Sequence, residues 1–471
     1  MSLTSSVSNL LLILPSRSHS ALRLPSAPPI MAPPSSAPLH MLPIASRPQK
    51  TWSQFVHAII SGLVFFVGCV MIHATQLVFV IPLYFIPSTR ARKLHDEGVR
   101  YTKGAFGKLA VLMCQLFAPT TLRVTFETDG LGAFTPEQIQ QIVVRDSSGK
   151  VVELRLPPKM VIIANHQIYA DWWYAWSFMY FMNMHRNILI VLKKSFKWVP
   201  VLGWGMQVFR FIFLARSWAH DKHVLVSHLA KLGRKAHLED TPLAFLIYPE
   251  GTPDMRYTLL PRSTGLHYSL RALAPRIPDL KLLDMTVAYP GIPGGGDGQL
   301  YYTIRSIFMD RIAPPTVHIH LRLIDVASTV PVGDLTGANP AVTPPSVSAS
   351  AKPPAYPTNE KDAAMNGHAT PAVSTIEADP PEKERIAFDE WLRALWRSKD
   401  EKLEEYYLSD SLSEKEVKNG AVQDDSRKRF NSSAPAIEIP LRLKKPRDVL
   451  DAFCFFGPAA LGWAWQKVKA G

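Results

Sequence analysis

The sequence predicts an α/β fold: a central sheet flanked by helices, with an apolar membrane-embedded helix near the N-terminus and a disordered insert late in the chain. Three observations carry that expectation. Short apolar runs at Met160–Ala164, Ala244–Tyr248 and Met285–Tyr289 read as buried strands, each giving way to polar or turn residues. Helical patterns at Asp171–Met184 and Ala219–Leu238 lie between them. The stretch from Phe55 to Ile86 is almost wholly apolar.

The 471 residues leave room for one large domain or two modest ones plus tails. A net charge of +13, 47% hydrophobic residues and a mean hydropathy of +0.03 point to a membrane surface or an acidic ligand. The chain shows no basic recognition helix, zinc-finger spacing or RNA-binding aromatic motif, so nucleic acid is not the expected partner. Cys69, Cys114 and Cys454 each sit in an apolar stretch and read as small hydrophobes, not as metal ligands or a disulfide framework.

Residues 1–50 lack Asp and Glu, are rich in Ser and Pro, and are expected to be a disordered tail. The scattered Arg17, Arg23 and Arg47 also suit a transit peptide, although Pro15, Pro25, Pro28 and Pro29 interrupt an amphipathic helix. Residues 51–118 are expected to anchor the chain in a membrane. As one helix, Phe55–Ile86 would be ~48 Å long, more than the roughly 30 Å hydrocarbon core. It reads as one tilted span or as a helix broken before Pro82 with a short re-entrant arm. The basic residues after it weakly favour a cytosolic domain. Phe106–Ala118 is too short to span and is expected at the interface or against the domain.

Residues 119–326 form the expected catalytic domain. Leu122–Glu127 and Val151–Leu156 alternate apolar and polar and read as half-exposed strands. Residues 327–383 turn Pro-, Thr-, Ala- and Ser-rich, the composition of a disordered insert. Over residues 384–408, Phe388, Trp391, Leu392, Leu395 and Trp396 share one helical face, which is expected to return to the core. Residues 409–446 read as a polar linker and 447–471 as an apolar C-terminal anchor.

The chemistry is expected where Met160–Ala164 ends in Asn165-His166, with Asp171 following five residues after the histidine. On one regular helix His166 and Asp171 would sit about 140° apart, so contact needs a strand-to-helix turn. Given that turn, the carboxylate accepts from one imidazole nitrogen and frees the other as a general base. The chain carries its own control. His320 and Asp325 share the spacing, but lie in the alternating strand Val317–Asp325 and point to opposite faces. The polar face of that strand is expected to meet solvent or substrate.

Other strand ends add Lys193 and Lys194, Arg216, Tyr248-Pro249-Glu250-Gly251-Thr252, Arg262, and Tyr289-Pro290-Gly291. Lys, Arg, Glu and Gly at several strand ends suit a phosphate-bearing ligand. Lys193 and Lys194 read either as contacts to phosphates or as a solvated basic face, and Arg262 either as a ligand contact or as a structural ion pair.

Asn165-His166-x-x-x-x-Asp171, Phe213-Leu-Ala-Arg216-Ser-Trp218, Tyr-Pro-Glu250-Gly251-Thr252 and Val-Ala-Tyr-Pro290-Gly291 resemble, in order, the motifs of the glycerolipid acyltransferases. The Asn-His-Gln-Ile-Tyr-Ala-Asp-Trp-Trp and Lys-Lys-Ser-Phe-Lys-Trp-Val-Pro blocks are most similar to the lysocardiolipin/lysophosphatidylinositol branch. The resemblance covers about 52–326 and 386–407. It departs at Pro253, where the third motif often carries Arg.

The resemblance implies an acyltransferase-type sheet and acyl-CoA as co-substrate, with no cofactor or metal. His166 would deprotonate the free hydroxyl of a lysophospholipid, oriented by Asp171. Asn165, Arg216, Glu250, Gly251, Thr252 and Pro290 belong to the motifs, and Arg216, Glu250 and Gly251 would position the acceptor. The expected setting is the endoplasmic reticulum membrane, with a mitochondrial membrane as the alternative. A CoA-independent transacylase using the same pair and a non-catalytic lipid- or acyl-CoA-binding scaffold are the competing readings.

Overall fold

The computed structural model describes residues 38–215, 217–253, 255–335, 379–418, 430 and 432–455. Its centre is an eight-stranded sheet in the order β12-β1-β11-β10-β4-β7-β5-β6. The strands are β1 (Thr121–Phe126), β4 (Lys159–Ala164), β5 (Ile188–Lys193), β6 (Ile212–Leu214), β7 (Leu243–Ile247), β10 (Lys281–Ala288), β11 (Thr316–Asp325) and β12 (Ile437–Pro440). From β10 through β4, β7 and β5 to β6 every pairing is parallel. β11 runs antiparallel to β10 and parallel to β1, and β12 closes that edge antiparallel. The hairpins β2 (Val143–Arg145) with β3 (Val151–Leu154), and β8 (Glu250–Pro253) with β9 (Leu259–Pro261), stand outside it. All residues of β4 are buried, as a strand with both faces covered requires.

The helices that matter to the site are α1 (Trp52–Thr75), α2 (Thr89–Phe117), α3 (Asp171–Phe181), α4 (Trp218–Leu238), α5 (Ser263–Leu273), α6 (Glu382–Lys418) and α7 (Arg447–Ala452). A capping box between Thr51 and Gln54 starts α1. A widened π-turn at Gln76–Val80 leads into Ile81–Tyr84, which contains Pro82, so of the two readings the helix that continues through Pro82 is the one seen. Trp52–Tyr84 is long and apolar enough to cross a membrane. One face of α1 lies along the domain. The Phe65 ring is 5.6 Å from that of Trp173, and Leu109 packs on Gly68, where a Cβ would come within 2.7 Å of a methyl carbon. The outward face exposes Ile59, Leu63 and Phe66. Phe106–Ala118 belongs mostly to α2, and up to Cys114 it is largely buried beneath α1, against the domain.

Several boundaries differ from expectation. Residues 38–50, expected as part of the disordered tail, form two 3₁₀ turns, Leu39–Met41 and Ile44–Ser46. Arg47 Nη2 donates to the Tyr301 carbonyl at 2.6 Å, and Lys50 pairs with Asp310 at 2.6 Å. Pro38 and Pro43 precede those turns in extended geometry, so proline here shapes a strap that docks without a regular helix. The expected linker 409–446 contains β12, whose Ile437 and Ile439 face the core. The start of the expected C-terminal anchor is α7, tied by Asp448 and Asp451 to Lys108 at 2.8 and 2.5 Å. Residues 1–37, 336–378 and 456–471 lie outside the described residues, and with them most of the expected tail, insert and anchor.

The largest correction concerns β1 and β11. Leu122–Glu127 is an interior strand, not a half-exposed one, and His318, His320 and Arg322 are buried, not solvent- or substrate-facing. Alternation on these strands records two buried layers, one apolar and one charged, the second sealed by α6. His320 bonds Thr125 at 3.0 Å and Glu127 at 3.3 Å, while Asp325 pairs with Lys281, so the spacing control holds them apart. Lys399 of α6, with 0% exposure, donates to Asp284 at 2.6 Å, the Met285 carbonyl at 2.8 Å and Thr286 at 3.2 Å. Removing one partner of a buried pair strands the other charge. Lys399→Met is therefore expected to cost about 3–5 kcal/mol, read by thermal or denaturant unfolding, and an unchanged midpoint would refute this account of α6.

Candidate active site

Parallel strands deliver their C-terminal ends to one edge of the sheet, and ligands bind at that edge in α/β folds. β4 ends before Asn165 and His166, β7 before Glu250, β10 before Tyr289, and β5 at Lys193. The distant motifs of the sequence converge for this topological reason. The placement of Arg216, just beyond β6, and the side chain of Thr252 lie outside the described residues.

His166 and Asp171 meet as the strand-to-helix turn requires. His166 Nδ1 and Asp171 Oδ2 are 2.6 Å apart. The same Oδ2 accepts from the backbone N–H groups of Gln167 at 2.7 Å and Ile168 at 2.9 Å, and Oδ1 accepts from the Tyr289 hydroxyl. Asp171 begins α3 and its side chain is 1% exposed, so its charge is met by backbone donors and the helix N-terminus. The His166 side chain is 36% exposed, and no partner among the described residues takes Nε2. The Tyr248 ring stacks on the imidazole with centroids 4.7 Å apart.

Burial pulls the His166 pKa down, but the Asp171 hydrogen bond and the charges of Asp171 and Glu250 outweigh it, and the net shift is upward. Glu250 Oε2 accepts from the His166 backbone N–H at 2.8 Å, and Oε1 accepts from Trp396 Nε1 at 3.3 Å. Burial pushes the Glu250 carboxyl up to about 6 against the lowering effect of those donors. Such a carboxylate braces the His166 turn and sits near its own titration range at neutral pH.

The remaining expected residues fall into different settings. Asn165 is buried, and its amide pairs with both backbone groups of Val287, donating at 2.9 Å and accepting at 2.7 Å. It extends the β4–β10 pairing by one side chain and so aims His166. Gly251 leaves room for Arg262, since a Cβ there would lie 2.5 Å from the Arg262 Nε. Arg262 is exposed, and no carboxylate among the described residues is paired with it. Lys194 is exposed and Lys193 half-buried at the same sheet edge. The Pro290 carbonyl accepts from the Tyr302 hydroxyl at 2.8 Å, an anchor for the turn after Tyr289. Among the described residues no group of three or more His, Cys, Asp or Glu side chains is arranged to hold a metal ion.

Sequence reasoning passed over Tyr248, Tyr289 and Trp396. The two tyrosines stand inside motifs that were quoted for their Pro, Glu and Gly neighbours. Their signal was a hydroxyl carried at the end of an otherwise apolar strand. Trp396 gave no such signal, because a tryptophan in an apolar helical face reads as packing alone.

Residues 149–289 match the family model described as Acyltransferase. The chain is 28% identical to the 2-acyl-1-lysophosphatidylinositol acyltransferase of Saccharomyces cerevisiae over 413 residues, 78% of this chain and 88% of that one. It is 34% identical to the lysocardiolipin acyltransferase 1 of Mus musculus over 151 residues, 28% of this chain and 39% of the relative. A 1-acyl-sn-glycerol-3-phosphate acyltransferase 2 of Brassica napus is 28% identical over 183 residues, 34% of this chain and 43% of its own. The segment that matches the Acyltransferase model holds His166, Asp171, Glu250 and Tyr289, so these four residues lie within an acyltransferase domain, and the yeast relative aligns with the chain along most of its length.

Proposed function

We propose that the protein transfers a fatty acyl chain from acyl-CoA to the free hydroxyl of a lysophospholipid, with His166 as general base and Asp171 as the group that fixes its tautomer. The observation that carries this reading is the fully occupied Asp171 carboxylate, which binds Nδ1 and leaves Nε2 to act. The substrate hydroxyl gives its proton to Nε2 while its oxygen attacks the thioester carbonyl carbon. The tetrahedral oxyanion collapses, the C–S bond breaks, and the imidazolium returns a proton to the departing CoA thiolate. A thiolate leaves readily, so the acid–base pair meets the main demand of the reaction.

Lysophosphatidylinositol is the favoured acceptor, because the relative aligned over 88% of its length is named for it. Lysocardiolipin and lysophosphatidic acid follow from the shorter alignments. Glu250, Gly251, Thr252, Arg216, Arg262, Lys193 and Lys194 are the proposed surroundings of the acceptor head group and the CoA phosphates. The exposed apolar face of α1 supports a membrane setting, for which the endoplasmic reticulum is proposed ahead of mitochondria.

Membranes containing the protein, given labelled acyl-CoA and lysophospholipids that differ only in head group, are expected to label one class selectively. Transfer only from a donor phospholipid, without CoA, would establish the transacylase instead, and lipid binding with no transfer would establish the scaffold. His166→Ala is expected to lower the rate by about 10²–10⁴-fold while the protein stays membrane-bound. Full activity in that variant would remove His166 from the mechanism.

The pH dependence follows in sign from the raised His166 pKa. The base works when neutral, so kcat/KM is expected to rise with pH through a limb lying above ~6.5, the ordinary histidine value. Asp171→Asn removes the charge that raises that pKa, so its residual activity is expected to titrate at lower pH. A limb that moves upward would contradict the assignment.

A further inference from the structure

A segment that braces the proposed base indirectly, through Glu250 and Gln167, lies outside the matched residues 149–289. Helix α6 follows the insert, and its Trp396 and Tyr407 are 11 residues apart, about three helical turns, which sets them on one face. Trp396 is wholly buried and donates to Glu250 Oε1 at 3.3 Å, while the other oxygen of Glu250 holds the His166 backbone N–H at 2.8 Å. Tyr407 Oη accepts from Gln167 Nε2 at 2.9 Å, and the Gln167 backbone N–H is one of the donors to Asp171. Between them, Asp400 accepts from the backbone N–H groups of Tyr257 and Thr258, both at 2.8 Å, and so pins the tip of the β8–β9 hairpin that begins at Glu250. The helix therefore grips the His166 turn from both sides and the Glu250 hairpin at its tip.

We infer that α6 is a positioning element of the acyltransferase site, with Trp396 and Tyr407 as positioning residues that hold Glu250 and Gln167, and through them His166. This rests on the proposal that His166 is the base. Neither residue is assigned a contact with substrate. The titratable groups facing Glu250 are His166 from the β4 turn, Lys399 from α6, and Tyr248 and Asp171 behind the imidazole. Glu250 and His166 act on one another through their charges, and in this inference both are deprotonated when the base acts in its braced position. Loss of the Trp396 N–H raises the proton affinity of Glu250 and moves the acid limb of the pair to higher pH. Loss of the Glu250 charge does the reverse, because that charge raises the His166 pKa.

The test uses the full chain in membranes, with labelled oleoyl-CoA and the lysophospholipid class that the wild type accepts. Trp396→Phe keeps an aromatic ring, though a smaller one, and removes the donor. It is expected to lower kcat/KM by up to about tenfold on the acid limb, the size of one hydrogen bond to a carboxylate, with recovery at high pH and an unchanged KM for oleoyl-CoA. Glu250→Gln is expected to move the limb of its residual activity downward. Tyr407→Phe should lower kcat at every pH. Leu395→Ala, buried on the same helix, should cost stability and leave the limb in place.

A folded Trp396→Phe protein whose limb coincides with that of the wild type overturns the inference. If that variant does not accumulate, Tyr407→Phe decides, and wild-type kcat there overturns it equally. A wild type that acylates no lysophospholipid overturns the functional reading itself, a result separate from either variant outcome.

Discussion

A carboxylate that is nearly sealed from water must be met by donors or lose its charge, and Asp171 is the point where this protein satisfies that constraint. Its oxygens collect the imidazole, two consecutive backbone N–H groups and a tyrosine hydroxyl from a neighbouring strand. The turn after β4 has its shape because residues 166–168 must all face one oxygen. Asn165 fixes where that turn begins, through its two bonds to Val287, and Asp171 fixes where it ends, as the first residue of α3. Between these anchors the imidazole has one free nitrogen.

A second polar layer lies under α6 and follows a different logic. Glu127, Asp284, His320, Arg322, Lys399 and Lys402 occupy the side of the sheet that the helix covers. Ion pairs of this kind stabilise little by comparison with apolar packing, but they are intolerant of a missing or shifted partner. Such a layer fixes the register of α6 on β10 and β11, because a displaced Lys399 would leave Asp284 bare. A fixed register is what allows Trp396 and Tyr407 to reach Glu250 and Gln167.

Much of this was legible in the sequence and some of it was not, for physical reasons. Short apolar runs ending in polar turns gave β4, β7 and β10, since a strand buried on both faces leaves little room for other residues. The His166–Asp171 contact was legible because one spacing excludes a regular helix and demands a turn. The buried charges of β11 were misread as a solvent- or substrate-facing side, because alternation reports that two faces differ and does not report what covers each. β12 and the strap at residues 38–50 were missed because a short segment docks through a few long-range bonds that no local periodicity records. The role of α6 was half legible. Its apolar stripe announced packing, while the indole N–H and phenol hydroxyl that reach the site were hidden among residues chosen for the same stripe.

The apolar helix and the His166–Asp171 pair are parts of one packed body. α1 rests on α2 and, through Phe65, on Trp173, which lies in the first turn of the helix that Asp171 begins. Trp173 in turn donates to the Ala110 carbonyl of α2 at 3.1 Å. An exposed apolar face of this extent marks a membrane or partner contact, and here it stands one layer away from the carboxylate that orients His166. A lipid acceptor carries its hydroxyl close to its acyl chain, so a lipid held at that face would have its hydroxyl within one packed layer of the His166 turn. The shared packing of α1, α2 and α3 thus joins the surface that would meet the lipid to the residues proposed to transform it.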